Sequence, residues 1–372
     1  MSSALFGYNG GKAMKVLKNV LLYGTLTDVT VESGKIASIE KNDLDGEDMG
    51  GLKIYPGLID IHSHGALGHD TMDADGSLHE MAVYFKENGI TTWFPTTMTM
   101  SRDDIYAATH CETDFADGAS IPGFHMEGPF INPKYKGAQN PDYIFRPDME
   151  FFNYCNDNGK IKLVTIAPEL PGSKAFIESC PAVVCLGHSD ADYDTAAGAF
   201  RAGVKCLTHS FNAMPGIHHR NPGPLVAAAE NESVYGQLIT DGTHIHPAVV
   251  RTFIKLMGED RVIIISDTMR ATGLSDGEYD LGGQLVFVKD GVAKLESGTI
   301  AGSTTNLFGC VRTAIKKMGV DERLAVKLAT ENPARLMGLN KGKIEVGYDA
   351  DFILVDDDFN LKKVFTYRDF EN

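Results

Sequence analysis

Short apolar runs alternate with helix-like stretches along most of this chain, and the alternation limits its fold more than any other feature. Between about Tyr55 and Lys341 the apolar runs are KIYPGLIDIH, ITTWFPTT, SIPGFHME, IKLVTIAPE, AVVCLGHS, GVKCLTHS, VYGQLITDG and RVIIISD. Helix-like segments between them include SLHEMAVYFKENG, Asp190 to Gly203, and PAVVRTFIKLMG. This alternation predicts a parallel α/β domain. Eight runs favour a (β/α)₈ barrel; a doubly wound open sheet is the alternative, although no GxGxxG opens a βα unit.

The two chain ends have a different pattern, with short strands and tight turns. KVLKNVLLYG is apolar with alternation, and VTVESGKIASIE predicts a hairpin around Ser33-Gly34. The C-terminal stretch GKIEVGYDADFILVDDDFNLKKVFTYRDF contains three short strand candidates. Neither end is long enough to form a stable sheet alone, and chain termini often lie close together. We therefore predict one small β domain from residues 1–55 and 342–372, beside a barrel at residues 56–341.

Composition and charge narrow the functional classes. The 372 residues are 43% hydrophobic and 23% charged, as in a globular protein, with a formal net charge of −16. This charge argues against binding of nucleic acid or an anionic membrane, which needs a basic face, but not against a small anionic ligand. The six separated cysteines are typical of a reducing compartment. No leader-like segment and no apolar run of about 18 residues is present, so we predict a soluble, cytoplasmic protein.

Imidazole and carboxylate side chains stand at the ends of five of the apolar runs. In GLIDIHSHG one serine separates two histidines, so in a strand both imidazoles leave the same face. The C-terminal ends of barrel strands form the floor of the active site, so side chains there converge. Converging imidazoles and carboxylates are metal ligands or acid–base groups. In chain order, the candidates are His62, His64, Glu127, His188, His209 and Asp267.

Taken singly, each candidate has a simpler interpretation. A lone histidine after a strand, such as His188, is more often a hydrogen-bonded core residue than a ligand. Glu127 alone could cap a helix or form a salt bridge, and Asp267 could cap a turn. The joint pattern is more informative, because chance rarely places ligand-type residues at the same end of five strands.

The strand-end pattern resembles the amidohydrolase superfamily, which has HxH after the first strand, a carboxylate on the third, histidines after the fifth and sixth, and Asp after the eighth. Further motifs resemble the N-acetylglucosamine-6-phosphate deacetylase family within it: HMEGPF, LGHS, THSFNAMPG, HHRNPG, DGTH, ISDTMRATG and ATENPARLMGLNKGKIEVGYDADFILVD. The resemblance covers nearly the whole chain. It implies a distorted (β/α)₈ metal-dependent hydrolase barrel with a small β-sandwich domain formed by both chain ends. The implied reaction is removal of an acetyl group from an amide, which releases acetate and glucosamine 6-phosphate.

The resemblance also implies a metal centre. The ligands common to the family would be Glu127, His188 and His209. Some members lack the first-strand histidines and use one metal, whereas this chain keeps His62 and His64 and so resembles members that bind two, with Glu127 as the bridge. One or two divalent ions per chain are expected: Zn²⁺ or Fe²⁺, with Mn²⁺ as a further candidate. Because a bound metal lowers the pKa of its water to about 7, Asp267 is expected to take the water's proton and give it to the amine.

A phosphorylated amino sugar needs a cation for its phosphate and polar contacts for its ring. Arginine has forked donors suited to phosphate, and Arg220 of HHRNPG, beside His218, matches the family's pattern; a loop arginine without this role would simply be solvated. The family's substrate contacts fall on Ala138, Gln139, Asn212, Ala213, His219, Arg220, His244, Ala301 and Gly302. Some relatives carry a histidine where this chain has Gln139, near the sugar or the acetyl carbonyl. A glutamine there offers only a neutral hydrogen bond.

Several alternatives remain open. An N-acetylgalactosamine-6-phosphate deacetylase differs in the handling of one sugar hydroxyl. A cyclic-amide hydrolase such as a dihydroorotase usually carries a carbamylated lysine where this chain has Glu127. A sugar-phosphate-binding protein with a structural metal is the non-enzymatic alternative, although structural zinc sites are usually closed by four ligands.

The resemblance suggests a homodimer in which HHRNPG reaches the neighbouring subunit's phosphate. The remaining histidines are expected to be surface or structural residues: His69, His79, His110, His125 and His246.

Overall fold

A computed structural model describes residues 7–9 and 12–371. Residues 1–6, 10, 11 and 372 of the predicted terminal segments lie outside the described residues. The N-terminal strands are β1 (Gly7–Asn9), β2 (Lys12–Leu22), β3 (Thr25–Glu32), β4 (Lys35–Ile39), β5 (Glu47–Asp48) and β6 (Lys53–Pro56). β3 and β4 pair antiparallel. Ser33 and Gly34 join them with φ values of 49° and 74°, as in a two-residue hairpin turn, so the predicted hairpin is confirmed.

Eight parallel strands form the barrel that the alternating runs predict. The strands in this region are β7 (Leu58–Ser63), β8 (Gly65–Ala66), β9 (His69–Asp70), β10 (Ile90–Thr97), β11 (Phe124–Glu127), β12 (Ile161–Ile166), β13 (Val183–Leu186), β14 (Cys206–Leu207), β15 (Tyr235–Ile239) and β16 (Val262–Ile265). β8 and β9 form a small hairpin, and the other eight pair in the order β7-β10-β11-β12-β13-β14-β15-β16. Each of the eight apolar runs contains one of these barrel strands, and the predicted fold class is confirmed.

The first apolar run, KIYPGLIDIH, contains two strands that belong to different sheets. β6 lies in the terminal sheet and β7 in the barrel, and Gly57 separates them. A Cβ atom on Gly57 would lie 2.1 Å from Thr91 Oγ1, so no larger residue fits at this junction.

A three-stranded antiparallel sheet follows the last barrel strand and is not predicted by the alternation. Its strands are β17 (Gly277–Leu281), β18 (Gln284–Lys289) and β19 (Val292–Leu295). In β18 the exposed Leu285 and Phe287 alternate with the buried Val286 and Val288, so the sheet buries one face only. Such short half-buried strands lack the continuous apolar character of barrel strands.

The C-terminal segment completes the N-terminal sheet. Its strands are β20 (Phe352–Val355) and β21 (Leu361–Phe365), and the sheet order is β21-β20-β6-β2-β3-β4. The predicted pairing of the two chain ends is therefore confirmed, but the prediction of three C-terminal strands is wrong. Residues 342–347 form no strand; Gly342 and Gly347 have positive φ values of 83° and 92°, which turn the chain instead of extending it.

Helices cover the barrel between its strands. They are α1 (Leu78–Glu87), α2 (Arg102–Thr109), α3 (Met149–Cys155), α4 (Ser173–Ser179), α5 (Tyr193–Ala202), α6 (Gly223–Ala229), α7 (Pro247–Met257), α8 (Leu307–Lys316), α9 (Glu322–Leu328) and α10 (Glu331–Met337). α1, α5 and α7 lie in the three stretches predicted to be helical. α7 buries Val250, Phe253, Ile254 and Met257, the one-faced spacing that an amphipathic helix needs. No helix of the described residues is both long and apolar enough to cross a membrane.

The seam between the first and last barrel strands is held by polar contacts near their carboxyl ends. The buried carboxylate of Asp60 on β7 accepts hydrogen bonds from the hydroxyl and, at 3.4 Å, the backbone N–H of Ser266. One residue later, Asp267 donates its N–H to the carbonyl of His62 at 2.9 Å. Burial raises the pKa of Asp60 to about 6, against the opposing effect of these hydrogen bonds. The seam therefore fixes His62 and Asp267 relative to each other.

Candidate metal centre

All six predicted strand-end residues lie at the same end of the barrel and are buried. His62 belongs to β7 and His64 follows it, while Glu127 is the last residue of β11. The other three lie two residues beyond β13, β14 and β16, and these are His188, His209 and Asp267. None is more than 8% exposed. The parallel strands thus bring together side chains that are as much as 205 positions apart in the sequence (62 to 267).

The carboxylate of Glu127 lies at the centre of the cluster. Its Oε1 is 3.0 Å from His209 Nε2, 3.2 Å from His188 Nε2 and 3.3 Å from His62 Nε2. Its Oε2 is 3.2 Å from His64 Nε2. Asp267 Oδ1 lies 3.4 Å from the Nε2 atoms of both His62 and His64. The cluster consists of two potential metal-binding groups, namely His62–His64–Asp267 and Glu127–His188–His209.

In three of the imidazoles, the hydrogen-bond partner of Nδ1 determines that Nε2 faces the cluster. His64 Nδ1 lies 3.2 Å from the carbonyl of Thr96, and His188 Nδ1 lies 2.8 Å from the carbonyl of Tyr135. A carbonyl only accepts, so these Nδ1 atoms carry hydrogen. His62 Nδ1 faces an amide oxygen, that of Gln237, at 3.2 Å. In the neutral imidazoles the Nε2 lone pairs therefore point into the cluster.

The residues present fit a divalent cation. Four Nε2 atoms and three carboxylate oxygens converge, and the Nε2 atoms of His188 and His209 are only 3.0 Å apart. His62 Nε2 is buried without a hydrogen-bond partner among the described residues. Lone pairs that face one another at this range need positive charge between them, either as protons on the imidazoles or as a bound cation. Imidazole nitrogen and carboxylate oxygen are established ligands of zinc and of non-haem iron.

The electrostatics of the cluster keep both carboxylates ionised. Burial alone would raise the pKa of Glu127, but the charges of His62 and His188 hold it well below its ordinary value. Burial is likewise outweighed at Asp267, where His62 and His64 lower the pKa. Burial lowers the pKa of His64, yet hydrogen bonds to Asp267 and Glu127 raise it well above its ordinary value. Charged carboxylates are what a metal ligand and a general base require.

Three of the cluster residues have left-handed backbones. The φ values are 49° at His188, 26° at His209 and 53° at Asp267. A residue other than glycine in this region costs about 1–3 kcal/mol. The surrounding contacts must hold these conformations, and such strain is concentrated at functional sites.

A cavity of about 650 Å³ opens above the cluster and contains most of the predicted substrate contacts. The predicted residues that line it are Ala138, Gln139, Asn212, Ala213, His244 and Gly302. Ala301 does not line it and is fully buried in an apolar cluster that also contains Met269 and Ala271. Leu281 and Leu295 of the β17–β19 sheet form part of its wall. The alternation of apolar runs and helices does not predict this wall, because it does not predict the sheet.

Gln139 contacts the cluster directly. Its Nε2 donates to Glu127 Oε2 at 2.6 Å, and its Oε1 accepts from the N–H of Thr99 at 2.7 Å. The second amide hydrogen faces Met98 Sδ, 3.8 Å from the nitrogen. Although Gln139 lines the cavity, both ends of its amide are engaged within the chain.

His244 is paired with a carboxylate that the sequence analysis did not single out. Asp241 Oδ2 accepts from His244 Nδ1 at 2.8 Å, and the Asp241 side chain also accepts from the backbone of His244 and from the hydroxyl of Ser303. Burial lowers the pKa of His244, but Asp241 more than compensates and raises it. The motif DGTH contains a signal for this contact, because an aspartate three residues before a histidine can form a local hydrogen bond with it.

His219 and Arg220 lie outside the main cavity. Arg220 is exposed, and it lines a neighbouring cavity with Tyr135, a residue shared by the two cavities. Its Nη1 lies 2.8 Å from the Nε2 of His219. Lys134 and Lys136, which the sequence motifs do not single out, line the main cavity. Within one chain, the structure therefore does not bring Arg220 to the metal-ligand cluster.

The other histidines have local partners. His69, His79 and His110 each pair with an acidic side chain: Glu80, Asp117 and Asp157, respectively. His246 caps α7 by accepting from Ala248 N–H at 3.2 Å. His125 is buried between the carbonyl of Ile61 and the hydroxyl of Thr165. Burial, together with the charge of His62, lowers the pKa of His125 well below its ordinary value, so it is neutral.

Comparison with known proteins agrees with this site. Residues 54–371 match the sequence model of the amidohydrolase family, and the chain belongs to that family. It is 38% identical over 345 residues to the N-acetylglucosamine-6-phosphate deacetylase of Lysinibacillus sphaericus, covering 89% of each chain. It is 32% identical over 350 residues to the N-acetylgalactosamine-6-phosphate deacetylase of Escherichia coli O157:H7, covering 90% of this chain and 92% of that one. The resemblance found in the sequence motifs is thereby confirmed.

A solved structure extends the similarity to the fold. The structure is of a mutant N-acetyl-D-glucosamine-6-phosphate deacetylase from Mycobacterium smegmatis in complex with N-acetyl-D-glucosamine-6-phosphate. It matches this chain with a TM-score of 0.87 at 31% identity, covering 96% of this chain and 98% of that one. The likeness includes both the barrel and the terminal sheet, since it spans nearly the whole of both chains.

Proposed function

We propose that this chain hydrolyses the acetamide of N-acetylglucosamine 6-phosphate to glucosamine 6-phosphate and acetate with the help of a divalent metal. The observation that carries the proposal is the buried convergence of four imidazoles and two carboxylates on the cavity floor. The deacetylases of this family with similar sequences support the choice of substrate. The product amine and acetate are expected to feed amino-sugar catabolism.

The residues that would hold metal form the two groups of the cluster. The ligands of the first ion would be Glu127, His188 and His209. His62 and His64 would hold a second ion, and Glu127 would be shared between the two ions. These donors suit Zn²⁺ and Fe²⁺, and Mn²⁺ is a further candidate. When bound, the metal supplies a water whose pKa is about 7 and polarises the acetyl oxygen.

Asp267 would move the proton in both halves of the reaction. Its carboxylate is ionised and lies at the cavity floor, so it can accept the proton of the attacking water. The water oxygen forms a bond to the acetyl carbon. Asp267 then returns the proton to the sugar nitrogen as the carbon–nitrogen bond breaks. One carboxylate suffices, because the proton taken in the first step is the one delivered in the second.

The cavity walls would bind the sugar, and the phosphate would need a cation. The wall positions proposed to contact substrate are Ala138, Gln139, Asn212, Ala213, His244 and Gly302. Ala301 would act through the backbone of its loop. Arg220, with His219 beside it, would contact the phosphate of the neighbouring copy in a homodimer. An exposed guanidinium outside its own chain's cavity supports that arrangement.

Two further proposals concern organisation and location. Residues 1–55 and 342–372 would form one small β domain and residues 56–341 the catalytic barrel, a division supported by the shared terminal sheet. The protein would act in the cytoplasm, a location supported by six free cysteines. The net charge of −16 argues against nucleic acid or an anionic membrane as a partner.

N-acetylgalactosamine 6-phosphate is the second candidate substrate. The similarity to the Escherichia coli galactosamine enzyme favours it specifically. A cyclic amide is less consistent with the site, because Glu127 stands where the dihydroorotase type carries a carbamylated lysine. The two sugars differ in the configuration of one hydroxyl, so a side-by-side assay of both phosphates distinguishes them.

The deciding experiment measures free-amine release from N-acetylglucosamine 6-phosphate before and after chelation, with metal content determined on the same samples. Turnover should disappear with the metal and return with added Zn²⁺, Fe²⁺ or Mn²⁺. Bound metal without turnover on either hexosamine phosphate would contradict the proposed substrate, and turnover that survives complete metal removal would contradict the metal-dependent reaction.

A further inference from the structure

A buried glutamine behind the metal-ligand cluster is not accounted for by the reaction. Gln237 lies in the middle of the largely apolar strand β15 and is fully buried. A buried amide in an apolar strand is costly unless its polar atoms are used. The Gln237 oxygen is used twice: it lies 3.2 Å from His62 Nδ1 and 3.2 Å from the backbone nitrogen of His209.

The backbone contact fixes which way the amide points. The N–H of His209 is a donor in every protonation state, so the atom that faces it must be the Gln237 oxygen. The Gln237 nitrogen finds no hydrogen-bond partner among the described residues. The amide is therefore oriented by the contact of its oxygen with the strand end that carries His209.

The fixed oxygen in turn selects the tautomer of His62. An acceptor beside Nδ1 requires hydrogen on Nδ1 and leaves the Nε2 lone pair directed at Glu127 and Asp267. His64 and His188 achieve the same with backbone carbonyls, of Thr96 and Tyr135. Among these three imidazoles, His62 alone depends on a side chain for its orientation.

Gln237 also joins the two metal-binding groups. Its oxygen contacts His62, which belongs to the group with His64, and His209, which belongs to the group with Glu127. His209 has a left-handed backbone and no partner for Nδ1 among the described residues. The Gln237 contact is thus one of the hydrogen bonds that hold the His209 strand end in place.

We infer that Gln237 is a positioning residue that sets the His62 tautomer and thereby enables the chain to bind its second metal ion. The inference rests on the metal site of the proposed function. It predicts that the acceptor on residue 237, and not the bulk of the side chain, determines the metal stoichiometry.

The test compares Gln237→Met with Gln237→Glu in otherwise full-length protein. Methionine fills a similar volume without an oxygen, whereas glutamate keeps an acceptor for both N–H groups. Metal-free proteins are titrated with Zn²⁺ by calorimetry, and bound metal is counted after dialysis. The parent should bind two ions, and Gln237→Met should lose about 10- to 100-fold in affinity for one of them only. Gln237→Glu should retain both ions.

A matched control is Thr240→Val, which removes another buried hydrogen bond from the end of the same strand, that from Thr240 to the Cys310 carbonyl. It should leave the stoichiometry at two. If Gln237→Met does not fold, Gln237→Asn replaces it, because the shorter side chain withdraws the oxygen from His62.

A parent that binds one ion overturns the inference. So does an oxygen-less or shortened variant that keeps both ions with parental affinity, or a Gln237→Glu variant that loses as much affinity as Gln237→Met. A parent that binds two ions but does not deacetylate contradicts the proposed substrate and leaves this inference standing.

Discussion

The metal-ligand cluster and the loop of residues 217–222 differ in how firmly the chain holds their side chains. His188 is 5% exposed, and both of its ring nitrogens have partners, namely the carbonyl of Tyr135 and the carboxylate of Glu127. Arg220 is exposed, and its guanidinium contacts His219 alone among the described residues. The cluster side chains are held by contacts within the chain, whereas a ligand or a second copy would have to supply most of the contacts of the arginine.

This difference has a consequence for kinetics. Groups that are fixed before binding can lower the barrier of the chemical step, because no energy is spent on arranging them. An exposed cation that contacts a phosphate remote from the reacting bond contributes to binding of substrate and transition state alike. Changes in the cluster should therefore appear in kcat, and changes in the loop should appear in KM.

The largest effect is expected for Asp267→Asn. Asparagine keeps the size of the side chain but cannot accept the water's proton, so kcat should fall about 10²- to 10⁴-fold. Metal content should stay at the parental value, because Glu127 and the histidines remain. The measurement is amine release alongside metal analysis, with Asp157→Asn as a surface control. Activity within a few-fold of the parent would show that Asp267 is not the proton carrier.

His62→Gln should have the next largest effect and test whether the two groups are separable. Removing the imidazole should lower the metal-to-chain ratio from two to one and reduce kcat about 10- to 100-fold. His79→Gln, which changes a histidine on the exposed side of α1, should change neither quantity. A His62→Gln protein that still binds two ions per chain would contradict the assignment of His62 as a ligand.

Arg220→Ala changes the loop of residues 217–222 and leaves the metal-ligand cluster intact. A hydrogen bond to a charged group contributes about 1.5–3 kcal/mol, so KM should rise about 10- to 100-fold while kcat stays within about twofold. Arg220→Lys should recover part of the loss, since it restores the charge without the forked donors. A fall in kcat at unchanged KM would place Arg220 with the reacting groups instead.

Mixed dimers determine which copy Arg220 serves. Co-purified dimers with one Arg220→Ala chain and one Asp267→Asn chain should regain activity if the arginine acts across the interface. One of the two sites then combines an intact Asp267 with an intact Arg220 from the other chain. Absence of any recovery would contradict the action of Arg220 across the interface, and a fully active monomer would contradict the proposed dimer.

The same contrast explains what the sequence could predict. The strand-end cluster followed from the alternation, because parallel strands force their carboxyl ends together. Asp241 and Gln237 did not follow from it, although both lie in the run VYGQLITDG. The role of Gln237 depends on His62, which approaches from another strand. The role of Asp241 depends on a local pair with His244, which the alternation of strands and helices does not describe. Gln139 was predicted near the sugar, and its contact with Glu127 depends on how a long loop folds back.

The smallest effect is expected for Asp241→Asn, which tests His244, a predicted substrate contact whose imidazole is paired with the Asp241 carboxylate. Asp241 raises the pKa of His244, so the imidazole of the parent stays charged to a higher pH than an ordinary histidine. In the variant the burial of His244 remains while the carboxylate is lost, so its pKa should fall and its charge should disappear at a lower pH.

If charged His244 binds substrate, KM should rise about 2- to 10-fold near neutral pH, and the rise should begin at a lower pH than in the parent. Profiles of KM against pH for Asp241→Asn, the parent and Asp117→Asn (the carboxylate of the surface pair with His79) measure this directly. Parallel profiles for all three proteins would mean that the charge of His244 does not contribute to binding.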